Sequence, residues 1–236
     1  MRIFTIVAVT LLLRGQISAD AQSPFDQVLP EGLQIQDPTA VGRCNVGEPL
    51  DELLAPLEIP FGFENHQDCW LGRYPVQRKD RMPLVHQRLS VGGLTVSAAL
   101  DDVTKSLGFT WKQIGRVVVV RPPDAWSSPT NVLNQRVKAF DVSGRLVDDV
   151  LPQILRATEP PVFKPHSRLK PVPDALNMHT RVRFKGGTLF TALNQVIVEH
   201  GAIGWAVGRS GVSTSTVLLY RLDQLFTYVM TPVTSQ

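Results

Sequence analysis

The same phrase occurs twice in this chain, 93 residues apart. Residues 93–108 read GLTVSAALDDVTKSLG, and residues 186–201 read GGTLFTALNQVIVEHG. The two segments align without a gap and are identical at six of sixteen positions, beginning at Gly93 and Gly186 and ending at Gly108 and Gly201. An internal repeat of this kind predicts a duplicated structural module, so each element predicted in one copy is expected again in the other.

Each copy predicts an amphipathic helix followed by two strands. In the first copy Thr95 is the predicted N-cap and Gly108 the residue that ends the helix. The apolar stripe between them consists of Val96, Ala99, Leu100, Val103 and Leu107. The second copy has Thr188 as the cap, Gly201 as the stop, and a stripe of Leu189, Ala192, Leu193 and Val196. β-Branched and aromatic residues then predict strands at 109–111 and 117–120, and again at 205–207 and 217–220.

A weaker repeat, offset by 97 residues, precedes each of these units. Residues 47–54 and 144–151 share a glycine, an aspartate and a leucine at equivalent positions. Each segment predicts a helix before a strand, at 59–63 and at 162–163, although Pro56 and Pro152 predict that these helices are short or kinked. The alternation of helices and strands indicates an α+β fold of two tandem βαβ-βαββ modules, each with two helices packed on short mixed sheets.

Composition shifts divide the chain into six segments. The proline-rich stretch PPDAWSSPTNVLNQ at 122–135 resists both helix and central strand, and it predicts a linker between the modules. The predicted boundaries are a signal peptide at 1–21, a leader at 22–40, a first module at 41–122, a linker at 123–136, a second module at 137–223 and a tail at 224–236.

The first residues predict export. Met1 and Arg2 precede an apolar run at 3–13, and Ala19 and Ala21 provide a small-residue cleavage site. The alternative is a membrane anchor, but eleven apolar residues fall short of the ~20 that span a bilayer. Removing Arg2, Arg14 and Asp20 with the signal lowers the formal net charge from +3 to +2. We therefore expect a weakly basic periplasmic or secreted protein that does not span the membrane after cleavage.

The chain contains two cysteines, Cys44 and Cys69. In an oxidising compartment an even number of cysteines favours a disulfide, and closing this loop is worth about 3.5 kcal/mol in the chain-entropy model. The alternative is a metal site that includes His66, but one His-x-x-Cys pair with a distant cysteine matches structural zinc spacings poorly.

The sequence provides no catalytic constellation, so we expect neither enzymatic activity nor a cofactor. Five histidines are scattered without a metalloenzyme motif. Ser210 lies in an incomplete Gly-x-Ser-x-Gly pattern within a hairpin connection. The adjacent acids 51–52, 101–102 and 148–149 point about 100° apart on a helix and cannot act together on one substrate, so they are interpreted as solvated faces.

Basic residues cluster at equivalent positions of the two predicted modules, in the crossover before the second helix. The candidate contacts for an anionic partner are Arg78, Lys79, Arg81, Arg88, Lys164, Arg168, Lys170, Arg181 and Arg183. They would attract an acidic protein, an anionic glycan or a lipid headgroup. The alternative is a set of solvated loops balanced by the helix acids. Few aromatics are interleaved with these charges, so a nucleic-acid partner is not expected.

Short sheets also leave edge strands that can accept a partner strand. The valine run at 117–120 and the tail at 225–230 are the candidate edges, and the alternative for each is an interior strand.

The repeated motif resembles a known family. Residues 89–103, Leu-Ser-Val-x-Gly-x-Thr-x-x-x-Ala-Leu-x-x-Val, and residues 182–193, Val-x-Phe-x-Gly-x-Thr-x-x-x-Ala-Leu, are similar to the strand and second helix of the secretin and TonB short N-terminal (STN) domain. The resemblance covers 41–122 and 137–223. It implies two tandem domains in the periplasm of a bacterial envelope that dock other envelope proteins, or relay signals, without catalysing a reaction.

Overall fold

The computed structural model describes residues 23–41, 46–65, 87–159, 178–201, 203–209, 214–221 and 229–234. These residues form a mixed α+β fold, as the order of predicted elements indicated. The predicted signal peptide and cleavage site lie outside the described residues, as do Cys44 and Cys69. Among the described helices, none combines the length and the apolar character needed to cross a membrane.

The first half of the described chain ends with a β-hairpin. Its elements are β1 (Gln34–Gln36), α1 (Pro38–Val41), α2 (Gly47–Leu54), β2 (Phe61–Glu64), β3 (Arg88–Ser90), α3 (Val96–Ser106), β4 (Thr110–Ile114) and β5 (Val117–Arg121). The predicted helix at 96–107 and the strands near 110 and 117–120 are confirmed.

The second half repeats much of this order. Its strands are β6 (Arg136–Val137), β7 (Phe140–Arg145), β8 (Thr158–Glu159), β9 (His179–Phe184), β10 (Gly187–Thr188), β11 (Ile203–Arg209), β12 (Thr214–Arg221) and β13 (Val229–Thr234). Its helices are α4 (Leu151–Arg156) and α5 (Leu189–His200).

The repeated phrase forms α3 and α5, and the predicted helix ends are present. Thr95 Oγ1 accepts a hydrogen bond of 3.2 Å from the Ala98 N–H. The Thr188 N–H donates 3.0 Å to Thr191 Oγ1 at the start of α5. Gly108 and Gly201 take φ values of +76° and +81°, which cost a glycine little. All nine predicted stripe residues are buried.

The two opening helices are short, as their prolines predicted. In the first half α2 ends at Leu54, and the chain tightens into a 3₁₀ turn at Ala55–Leu57 that contains Pro56. In the second half a π-helical turn at Leu146–Val150 leads into α4. Pro152 lies in the first turn of α4, which directly continues the π-helical turn, so its missing N–H interrupts the hydrogen bonding of one helical run at 146–156.

A six-stranded mixed sheet connects the two halves, in the order β13-β12-β11-β2-β5-β4. Strand β2 pairs in parallel with β5 of its own half and with β11 of the other half. Gly62 is therefore aligned with Val119 on one side and with Trp205 on the other. The sequence predicted a separate small sheet for each module, and the continuous sheet differs from that expectation.

Apolar cores cover both faces of this sheet. In β5, Val118 and Val120 pack against α2 and α3, whereas Val117 and Val119 pack against α4 and α5. We call the core around α2 and α3 the first core and the core around α4 and α5 the second core. In β11, Ala206 belongs to the first core and Trp205 to the second. The valine run is uniformly buried because alternate residues serve opposite cores.

Smaller sheets flank the central one. Strand β1 pairs antiparallel with β3, and β7 pairs antiparallel with β9. The two-residue strands β10, β6 and β8 form a third small sheet in that order.

Candidate functional site

The structure describes three of the nine basic residues predicted to contact an anionic partner. They are Arg88, Arg181 and Arg183. The other six, Arg78, Lys79, Arg81, Lys164, Arg168 and Lys170, lie outside the described residues, and so does Ser210.

Arg88 joins three elements of the first half. Its Nη1 lies 2.9 Å from Glu52 Oε2 of α2, and its Nη2 donates 2.6 Å to the Gln34 carbonyl of β1. The Gln36 N–H also donates to Glu52 Oε2, at 2.7 Å. Arg88 therefore holds the β1–β3 ribbon against α2, and its charge is balanced by a carboxylate.

Arg181 and Arg183 share one carboxylate on the exposed face of the β7–β9 ribbon. Arg181 donates through Nε and Nη2 to the two oxygens of Asp141, at 3.0 and 2.8 Å, and Arg183 Nε donates to Oδ2 at 3.1 Å. Hydrogen bonding to Arg181 lowers the pKa of Asp141 to about 2, and Arg183 contributes to the shift. The same contact raises the pKa of Arg181. Two guanidiniums on one carboxylate leave this face with a surplus of positive charge.

Among the described residues, a denser polar cluster lies at the carboxyl ends of β2 and β5. Arg121 is fully buried, and its Nε donates 2.7 Å to Glu64 Oε2. Its Nη1 and Nη2 donate to the Asn134 and Asn131 side-chain oxygens at 2.8 and 2.9 Å. Asn131 Nδ2 in turn donates to Glu64 Oε1. We call these four residues the junction cluster.

The junction cluster fixes the segment at 123–136 that the sequence predicted to be a linker. This segment forms 3₁₀ turns at Pro123–Trp126 and Val132–Asn134. Asn134 Nδ2 donates to the carbonyls of Ala125 and Ser128, both at 2.8 Å. Val132 and Leu133 are buried in the second core. The segment is packed because asparagine amides supply hydrogen bonds that its prolines cannot.

Aromatic rings cover the junction cluster. The Arg121 guanidinium carbon lies 5.1 Å from the Trp126 ring centroid and 5.2 Å from that of Phe190 on α5. Lys112 Nζ lies 4.4 Å from the Trp126 centroid, and Trp126 Nε1 donates 2.8 Å to Thr110 Oγ1. Sequence reasoning missed this site because Arg121 follows a valine run and carries no motif; the asparagines at 131 and 134 were the only local signal.

A satisfied network of this kind holds a structure together rather than binding a ligand. Both oxygens of the Glu64 carboxylate accept a hydrogen bond, and all three nitrogens of the Arg121 guanidinium donate one. A substrate would therefore have to displace a buried ion pair. Among the described residues, no group of three His, Cys, Asp or Glu side chains could hold a metal ion.

The acidic pairs that were interpreted as solvated faces differ from one another. Asp101 accepts a 2.6 Å hydrogen bond from Trp111 Nε1. Asp149 accepts one of 2.8 Å from the Arg145 N–H, a local contact at the start of a helix. Asp51 is half-buried, and its Oδ1 is buried without a hydrogen-bond partner. Burial, reinforced by the neighbouring Glu52, raises the pKa of Asp51 to about 6.

The structure also shows which of the two candidate edge strands lies inside the central sheet and which lies at its edge. The valine run in β5 is an interior strand between β2 and β4, so its alternative interpretation is confirmed. Among the described strands, β13 in the tail forms one end of the sheet and β4 forms the other, and residues 225–228 of the predicted edge lie outside the described residues.

Comparisons with protein-family models, with curated proteins and with solved structures found no match for this chain. Its function is therefore inferred from sequence and geometry.

Proposed function

We propose that this chain is an exported, non-enzymatic protein of the bacterial envelope, made of two tandem STN-like modules at 41–122 and 137–223 that bind another envelope protein. The proposal is supported by the repeat in sequence, the predicted signal peptide and the order of elements in each half.

One observation carries the proposal. In each half, the strand before the opening helix pairs antiparallel with the strand before the second helix. Ile35 pairs with Leu89 in the first ribbon, and Val142 pairs with Val182 in the second. Leu89 and Val182 are separated by the same 93 residues as the repeated phrase. Ile35 and Val142 are 107 residues apart, so only the second strand of each ribbon keeps the offset of the repeat, and Ile35 lies before the predicted boundary at 41. The recurrence of the same antiparallel pairing supports duplication of a module whose first copy also includes β1.

The hairpins that close the halves support the same relation. Thr110 pairs with Arg121 in the first hairpin, and Ile203 pairs with Arg221 in the second. The connection is two residues in the first and four in the second. The halves diverge after the opening helix, because β2 joins the central sheet whereas β8 pairs with β6.

Crosslinking in living cells followed by mass spectrometry tests this function. A photoreactive side chain at an exposed position of each half should capture the same envelope protein, and the Leu100→Asp variant, which disrupts the first core, should lose that protein. Capture of abundant envelope proteins in proportion to their abundance, unchanged by Leu100→Asp, would contradict specific binding.

An anionic glycan or lipid headgroup is the second candidate partner. Arg145, Arg181 and Arg183 lie on one exposed face of the β7–β9 ribbon, where Asp141 pairs with Arg181 and Arg183 and Asp148 lies 3.6 Å from Arg145. Electrostatic binding of this kind is screened by salt, whereas binding through an apolar interface is not. Recovery of the partner in a pulldown at low salt, and its complete loss at ~0.5 M salt, would favour the anionic ligand.

A further inference from the structure

Strand β4 offers an open edge at one end of the central sheet. Among the described strands it pairs only with β5. The opposite end of the sheet is β13, in which Pro232 lies opposite Thr216. Proline has no N–H, and it is one of the residues that blunt an exposed edge. The described part of β4 contains no proline.

The pairing of β4 with β5 shows which backbone groups face outward. The hairpin turns at two residues, Gly115 and Arg116, with Gly115 at φ +63°. The flanking residues Ile114 and Val117 therefore form the closing hydrogen-bonded pair. Hydrogen-bonded and non-hydrogen-bonded pairs alternate along an antiparallel ladder. The N–H and C=O groups of Trp111 and Gln113 consequently point away from β5.

Aromatic side chains border this edge on both faces. On one face, Trp111 is half-buried and stacks on Phe25 with ring centroids 5.8 Å apart. On the other, half-buried Trp126 packs beside Thr110 and under the Lys112 ammonium. Lys112 is exposed, and within the described chain no carboxylate pairs with it.

We infer that β4 is the docking edge for an extended segment of the partner protein, which adds to the sheet as a seventh strand. The segment has aliphatic residues facing the aromatic borders and a carboxylate beside Lys112. Backbone hydrogen bonds to Trp111 and Gln113 supply affinity, and the borders supply specificity. This inference rests on the proposed function and identifies the surface that performs it.

Peptide binding to the full exported chain tests the inference. The probe is a fluorescent eight-residue peptide in which valine and glutamate alternate, compared with its valine–lysine analogue by fluorescence anisotropy. The valine–glutamate peptide should bind at least about tenfold more tightly, and Lys112→Glu should reverse that preference. Amide exchange at Trp111 and Gln113 should slow when the peptide is bound.

Two substitutions at one position separate the backbone from the side chain. Gln113→Pro removes an outward N–H and should weaken binding by about tenfold, whereas Gln113→Ala keeps that N–H and should bind within about twofold of the parent. Thermal melting checks that both variants fold. Because the Gln113 N–H makes no hydrogen bond to β5, we expect Gln113→Pro to fold. A folded Gln113→Pro variant that no longer binds the peptide supports β4 as the docking edge.

Three results would overturn the inference: absence of peptide binding, equal binding by the folded Gln113→Pro variant, or protection that appears at 229–234 instead of β4. If the peptide does not bind but the protein self-associates, and Gln113→Pro abolishes that self-association, the segment that docks on β4 belongs to a second copy of this chain and not to a partner protein. If the crosslinked envelope protein is retained by Gln113→Pro, the binding function stands and the docking edge is wrong.

Discussion

Gly62 lies where the two halves of the sheet meet. A Cβ built on this residue would lie 2.1 Å from Cε2 of Trp205, a distance that real atoms do not reach. The Trp205 indole is fully buried, and its Nε1 donates 2.8 Å to Asn194 Oδ1 on α5. The indole cannot move aside without losing that bond, so the contact between β2 and β11 depends on the absence of a side chain at Gly62.

Gly62→Ala should therefore destabilise the protein by about 1–3 kcal/mol through overpacking. The measurement is urea unfolding of the full chain. In the Gly62→Ala background, Trp205→Leu should cost less than it does alone, because the smaller side chain relieves the clash. Additive costs of the two substitutions would contradict the proposed contact.

Asp51 illustrates a different residue-scale cost. Its carboxyl is half-buried, and its pKa rises from 3.8 to about 6. The folded state therefore binds more protons than the unfolded state between these two values, and the free energy of unfolding falls as pH rises through that window.

Asp51→Asn should remove this dependence. The variant should match the parent below pH ~4 and exceed it above pH ~6 by no more than about 1–2 kcal/mol, because solvent screens a half-exposed charge. Urea unfolding across this pH range measures it. A parent whose stability rises through the same window would contradict the direction of the shift.

At the scale of elements, α3 and α5 follow local rules. Each begins after a threonine and ends at a glycine with positive φ, and each buries one face on the sheet. These features depend on residues within one or two turns, which is why the repeat in sequence predicted both helices.

Removing the α3 cap should cost about 1 kcal/mol. Thr95→Ala leaves the Ala98 N–H without its side-chain acceptor, and cap substitutions of this kind cost 0.5–2 kcal/mol in general. The control is Asp102→Ala, an exposed position on the same helix, which should change stability by less than about 0.5 kcal/mol. Equal effects of the two substitutions in chemical denaturation would show that the cap contributes nothing.

At the scale of the whole molecule, the halves share one sheet, and the junction cluster ties the segment between them to the first half. The Glu64–Arg121 ion pair couples β2 to β5, and Asn131 and Asn134 tie the intervening segment to it. Trp205 lies in the same core as Val117 and Val119 of β5. Unfolding one half would therefore expose buried surface of the other.

Arg121→Met should destabilise the protein by about 3–5 kcal/mol, because it leaves Glu64 buried without its ion-pair partner. Replacing both residues, as Arg121→Met with Glu64→Leu, should cost less than the sum of the single changes. A double-mutant cycle in urea measures the coupling. An additive result would mean that the two charges do not depend on each other.

Leu100→Asp and Leu193→Asp should each cost several kcal/mol through an unpaired buried charge. Because the sheet is shared, each variant should shift one common unfolding transition, measured by calorimetry and by tryptophan fluorescence. The matched controls, Lys105→Asp and Val198→Asp, introduce the same side chain at exposed positions of α3 and α5. Two separate transitions, with one unchanged in each variant, would indicate modules that unfold independently.

The sequence by itself determined the local elements. The caps at Thr95 and Thr188, the apolar stripes between them and their terminal glycines, and the hairpin strands at 117–120 and 217–220 were readable because helix and strand patterns depend on near neighbours. The end of α2 before Pro56 and the irregular helix around Pro152 were readable for the same reason.

Only the tertiary structure decided how these elements combine. The pairing of β2 with β11 joins residues 62 and 205, and no local pattern encodes a partner that distant. Arg121 became a buried ion-pair partner because Glu64 and two asparagines reached it from other segments, and Arg181 was balanced because β7 placed Asp141 beside it. Periodicity in sequence specifies which face of an element is buried, whereas tertiary packing determines which other element that face contacts.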